Sequence, residues 1–208
     1  MSTATLQRRH ALGLPAGSVR AIHVLLIAGM TCALIANPTD LAIAIPPYLV
    51  YLLFLMLGHY FAAHGVTIAP RSHDQPSPLY LPGGTVRLLV ILALAGVLAW
   101  KYTQHPQSLL EQFERTAREI AQQPLTPVAV LGGFFVGVIV RGMVGRVNPP
   151  LAWQDFEAWI SLLAIFGLSA AAVIHLVIDP SLEVPGVSWP TWEAILGGIV
   201  AFYFGARS

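Results

Sequence analysis

From Leu88 to Trp100 the chain is an unbroken apolar run, and five further segments are apolar over comparable or greater lengths. Crossing the hydrocarbon core of a bilayer takes about 20 apolar residues in a helix. The six segments run from Val19 to Ala36, Leu41 to Ala63, Val86 to Trp100, Pro127 to Val144, Ala158 to Ile178 and Trp192 to Phe204. The first, third and sixth are short and need flanking residues to reach both interfaces. Backbone amides in lipid must be bonded within their own segment, which makes each of these a helix. Composition agrees, with 56% apolar residues, 10% charged residues and a mean hydropathy of +0.69. A soluble domain usually carries about 25% charged side chains. The expected fold is therefore all-α, a polytopic membrane bundle of six transmembrane helices.

The net charge of +1 and the lack of a basic run interleaved with aromatics give no sign of a nucleic-acid partner. One cysteine, Cys32, excludes an internal disulfide framework and any multi-cysteine metal site.

Basic residues set the expected orientation. Arg8, Arg9, Arg20, Arg71, Arg87, Arg141, Arg146 and Arg207 fall on one side, eight of the eleven Lys and Arg. Lys101, Arg115 and Arg118 lie in the third connection beside Glu111, Glu114 and Glu119. Both termini are thus expected in the cytoplasm, with the chain in a bacterial inner membrane. Trp100, Trp189 and Trp192 fall at outer ends and Trp153 and Trp159 near an inner end, as an aromatic belt does. Arg8-Arg9 ahead of an apolar run resembles an export signal. The run begins only at Val19 and ends at Ile35-Ala36-Asn37-Pro38 without a small-residue cleavage site, so a retained first span is expected.

The whole chain, 1–208, reads as one membrane domain. It comprises a cytoplasmic segment 1–18, a first hairpin 19–63, a cytoplasmic loop 64–85, a second hairpin 86–144, a cytoplasmic loop 145–157 and a third hairpin 158–205. Within the second hairpin, residues 108–122 form an outer amphipathic helix. Ser108 and Glu111 have capping-box spacing there. Leu109, Leu110, Phe113, Ala117 and Ile120 repeat at helical intervals, mostly opposite the charged residues. Such a helix lies in the interface or against a neighbour.

Leu14-Pro15-Ala16-Gly17-Ser18-Val19-Arg20 recurs as Leu81-Pro82-Gly83-Gly84-Thr85-Val86-Arg87. Each copy precedes a span of the same sense, which suggests a duplicated two-helix unit. Ser18 and Thr85 are expected to cap the new helices. Arg20 and Arg87 then sit on the first turn, where helix N-termini favour anions such as lipid phosphates. The plainer reading of Ser18, Arg20, Thr85 and Arg87 is a membrane-insertion signal used twice.

Gly133, Gly137, Arg141 and Gly145 recur at four-residue spacing on the fourth span. Small residues so spaced let helix backbones approach closely, here as a contact between helices or between protomers. A glycine-lined pore with Arg141 as anion filter is the rival reading. On the fifth span, Gly167, Ala171, His175 and Asp179 share one stripe. His175 and Asp179 form a possible polar site, although Asp179-Pro180 also marks a helix exit into water.

His59 and His64 have the spacing of one di-iron histidine box, but the companion boxes are absent. A b-type haem would need two histidines at similar depth, and His23 with His59 is the only geometry available. We expect neither haem nor metal. No nucleophile–base pair, paired intramembrane carboxylates or phosphate loop is present, so no catalytic residue is expected. The expected function is a non-catalytic membrane subunit or scaffold, packed within a larger assembly or homo-oligomer and in contact with membrane lipids. A small channel or transporter using Arg141, His175 and Pro46-Pro47 is the alternative. A haem-carrying electron-transfer subunit is the third reading.

Overall fold

The computed structural model describes residues 15, 17–37, 44–62, 79, 84–144, 151–177 and 189–206. These form α1 (Ser18–Ala36), α2 (Pro47–Ala62), α3 (Thr85–Gln104), α4 (Pro106–Gln122), α5 (Leu125–Val144), α6 (Leu151–Val177) and α7 (Trp189–Ala206), with no strand among the described residues. Four helices, α1, α3, α5 and α6, are long and apolar enough to cross a membrane. The apolar parts of α2 and α7, Pro47–His59 and Trp192–Ala206, are shorter.

Two boundaries differ most from the sequence expectation. The second helix starts at Pro47 rather than Leu41, because residues 44–46 are not helical. Proline has no N–H to lose at the first helical position. The connection expected over 145–157 contains the beginning of α6, which starts at Leu151 directly after Pro149-Pro150. Asp155 and Glu157 fall in the second turn of this helix, where both are half-buried.

Residue pairs fix the directions of the helices. Lys101 near the end of α3 donates to Asn37 O at the end of α1, and Leu79 N ahead of α3 donates to Ser18 Oγ at the start of α1. These helices therefore run parallel and in register. In α5 and α7, Gly133 faces Gly198 while Gly137 faces Phe202 and Ala206, again parallel. Gly167 of α6 meets Leu196, and Ser161 lies by His23, whose ring stacks on Tyr203, so α6 opposes α7. Thus α1, α3 and α6 run one way and α2, α5 and α7 the other. The start of α1 and the end of α7 share one end of the bundle.

The core is formed where α1, α2, α6 and α7 meet, around Ile27, Leu34, Leu49, Leu52, Ile165, Leu168, Val200 and Phe204. Helices α3 and α5 pack on its flanks and leave broad apolar faces uncovered, including Leu88, Leu92, Val128, Phe135 and Ile139. Leaving such surface in water is unfavourable by about 25 cal/mol per Å². A bilayer removes that penalty.

Candidate functional site

The two matched segments build the same helix start, though not by hydroxyl capping. Gly17 and Gly84 occupy the N-cap position with φ of 85° and 97°, and their carbonyls accept the Ala21 and Leu88 amides. Only glycine takes that left-handed conformation without strain. Ser18 and Thr85 are therefore the first helical residues rather than caps. The buried Ser18 hydroxyl instead accepts the amide of Leu79, a non-glycine residue at φ 54° just ahead of the second segment. Arg20 and Arg87 consequently sit at equivalent positions on two parallel neighbours, each half-buried.

At the same end, His23 is fully buried. Its Nδ1 lies 2.7 Å from Val19 O and its Nε2 lies 3.1 Å from Ser161 O. A neutral imidazole carries one N–H and can donate to only one of them. Tyr203 stacks on the ring at 5.4 Å, and Phe204 meets it edge-on at 5.9 Å. His59 stands edge-on to the other side of Phe204, at 6.0 Å, and to Phe134. A haem bridging His23 and His59 would have to displace Phe204 and break the contacts of His23. His59 Nε2 is buried and takes no hydrogen bond among the described residues. Those residues also hold no group of three metal-ligating side chains.

The opposite end of the bundle holds a second polar set, which the sequence did not single out. Lys101, 5% exposed, donates from Nζ to Asn37 O at 2.8 Å. Gln112 Nε2 donates to Leu34 O at 3.0 Å, and Thr116 Oγ1 accepts Ile45 N at 2.9 Å while donating to Gln112 O. The last carbonyls of a helix and the amides ahead of the next have no intrahelical partner. Here α3 and α4 supply the missing groups for α1 and α2. Nearby, Tyr48 OH donates to Leu168 O at 3.4 Å, and Glu193, 4% exposed, lies within electrostatic reach of that phenol. A lone acid inside the apolar run after Trp192 was the available sequence signal.

Helix α4 differs from its expected form at its start. It begins at Pro106 after His105, and Ser108 Oγ donates to His105 O, so the Ser108–Glu111 capping box is not formed. Its bundle-facing side is Leu109, Gln112 and Thr116. Leu110, Phe113 and Ala117 are exposed.

The glycine face of α5 is closed within the chain rather than reserved for another protomer. A methyl at Gly133 would overlap Gly198 O, and one at Gly137 would overlap Phe202 O. From the other side, a methyl at Gly205 would overlap Phe134 O. Gly133 and Gly137 therefore line no pore in this chain. Gly167 and the buried Ala171 lie on α6, where a Gly167 methyl would sit 3.1 Å from Leu196. Arg141 is exposed on the last turn of α5. His175 lies in the last turn of α6, and its side chain, with Gly145 and Asp179, falls outside the described residues. Compared with protein-family models, curated proteins and solved structures, the chain matches none.

Proposed function

We propose that the protein is a non-catalytic integral membrane subunit or scaffold, working within a larger membrane assembly or a homo-oligomer. One observation carries this reading. The buried side chains of His23, Lys101, Gln112 and Thr116 meet backbone groups of neighbouring helices instead of converging on a common cavity. Polar interactions in membrane proteins serve as such interhelical ties. With the polar interior engaged in self-assembly, the surfaces left for partners are the apolar flanks of α3, α5 and α6. We place all six apolar helices across the bilayer of a bacterial inner membrane, with both termini in the cytoplasm. Alternating helix directions and the side chosen by the arginines support that placement. The two matched helix starts, with Arg20 and Arg87 at equivalent positions at one end of the bundle, support contact with lipid phosphates there and a duplicated origin for the two hairpins.

The test is to extract the protein from its native membrane in mild detergent and weigh the particle. We expect a protein mass well above the 22.4 kDa of one chain. A monodisperse monomer overturns the scaffold reading.

The buried carboxyl of Glu193 beside Tyr48 favours the second reading, a small channel or transporter. Ionisable groups at membrane depth are costly and mark solute or proton paths. Electrical recording in reconstituted bilayers separates the two. A reproducible conductance altered by Glu193→Gln establishes the transporter and displaces the scaffold.

A further inference from the structure

Helix α4 has three faces instead of two. Leu109, Gln112 and Thr116 turn towards the bundle, held by the bonds to Leu34 O and Ile45 N. Glu111, Glu114, Arg115 and Arg118 are exposed on the far side. Between them runs an apolar stripe of Leu110, 62% exposed, Phe113, 45% exposed, and Ala117. The bonds to the bundle fix the rotation of α4, so the stripe cannot be turned inward without breaking them.

We propose that this stripe is seated in the lipid interface of the membrane leaflet opposite the chain termini, making α4 an interfacial anchor. The inference rests on the reading of α3 and α5 as spans.

Three observations choose lipid as the occupant. First, α4 follows α3 after the single residue His105, and the end of α3 carries exposed Trp100 and Tyr102. Those side chains prefer the headgroup level of a bilayer. Second, α4 leads through Pro124 into Leu125 and Val128, both about two-thirds exposed at the start of α5. The stripe thus lies in the chain between the uncovered apolar faces of two spans. Third, the charges on α4 nearly balance, with Glu111, Glu114 and Glu119 against Arg115 and Arg118. A balanced polar sector above an apolar stripe suits a helix lying in an interface, where apolar burial supplies the attraction. It offers no charged patch by which an acidic or basic protein would be selected.

The test uses full-length protein carrying Cys32→Ser, reconstituted into vesicles of phosphatidylcholine and phosphatidylglycerol. Nitroxides are attached at single cysteines in Phe113→Cys, Arg118→Cys and Val136→Cys variants. Val136 is an exposed mid-helix position of α5 and reports the depth of a span. Collisional access to oxygen and to a water-soluble nickel chelate gives each depth. We expect position 136 deepest, position 118 in water and position 113 just below the headgroups, with an oxygen-to-nickel ratio several-fold above that at 118. Equal nickel access at 113 and 118 overturns the proposal, as does a label at 113 shielded from both reagents, which indicates a protein partner. Nickel access at 136 refutes the span reading itself. If the label at 113 disturbs folding, Leu110→Cys on the same stripe repeats the measurement with the same expected ratio.

Discussion

His23 Nε2 lies 3.1 Å from Ser161 O, a contact that joins α1 to α6 across 138 residues of chain. The ring fills a fully buried site and stacks on Tyr203, so it contributes volume as well as polar contact. His23→Ala is expected to lower stability by about 2–4 kcal/mol, from the cavity and the lost hydrogen bond together. His23→Phe keeps most of the volume and should cost about 1–2 kcal/mol less than the alanine change. Denaturant unfolding in mixed micelles, followed by circular dichroism, measures both. Equal losses in the two variants would show that volume contributes nothing at this position.

The α5–α7 contact gives a position-specific prediction. Gly133→Ala, Gly137→Ala and Gly205→Ala each place a methyl onto a backbone carbonyl of the facing helix. Backbone cannot move aside as a side-chain tip can, and overpacking typically costs about 1–3 kcal/mol. Gly96 on α3 and Gly142 on α5 face open space where a methyl would project, so their alanine variants should be neutral or slightly stabilising. Thermal unfolding in detergent should rank the first three below the wild type and leave the last two unchanged or higher.

The sequence made the bundle legible because apolar length is a strong signal and does not depend on partners. It made contact partners much less legible. Small-residue spacing on α5 marked a close helix contact but not its partner, Gly198 and Gly205 on α7, which lie seven residues apart. For α4, apolar periodicity marked an amphipathic helix but not which residues face the bundle. What α4 covers is the polar end of α1 and the approach to α2, so Gln112 and Thr116 fit there better than leucine. At the two helix starts, Gly and Ser or Thr both suit an N-cap. The choice of glycine became visible only from the backbone, since the Ser18 hydroxyl is taken by Leu79. His23 and Glu193 were hidden for a different reason. A single ionisable residue in an apolar segment does not show from sequence whether it reaches the interface or is enclosed.

The ties between α4 and the bundle can be cut selectively. Gln112→Leu and Thr116→Val remove the donor to Leu34 O and the acceptor of Ile45 N, leaving two buried backbone groups without those partners. Each unpaired group costs about 1–3 kcal/mol. The loss should fall mainly on the attachment of α4. The double variant is expected to be cleaved faster by trypsin at Arg115 and Arg118 while the spans remain protected. Unchanged cleavage would mean that apolar contacts such as Leu109 suffice to hold α4 in place.

The matched helix starts carry the last prediction. Parallel alignment of α1 and α3 brings two helix N-termini and two first-turn arginines to one level at the same end of the bundle. Each N-terminus favours an anion by about 0.3–1 kcal/mol. An arginine adds a bidentate match to phosphate oxygens. A side chain at Gly84 would meet open space, so the first amides of α3 are not covered by their cap residue, whereas the Ser18 amide at the start of α1 is already bonded to Pro15 O. Replacing both Arg20 and Arg87 by Gln is expected to reduce the anionic lipid that co-purifies with the protein, measured by phosphorus assay and mass spectrometry, while the melting temperature shifts little. Either single replacement should produce a smaller loss, because the neighbouring start remains intact. Wild-type lipid content in the double variant would reduce the repeated segment to a way of beginning a helix.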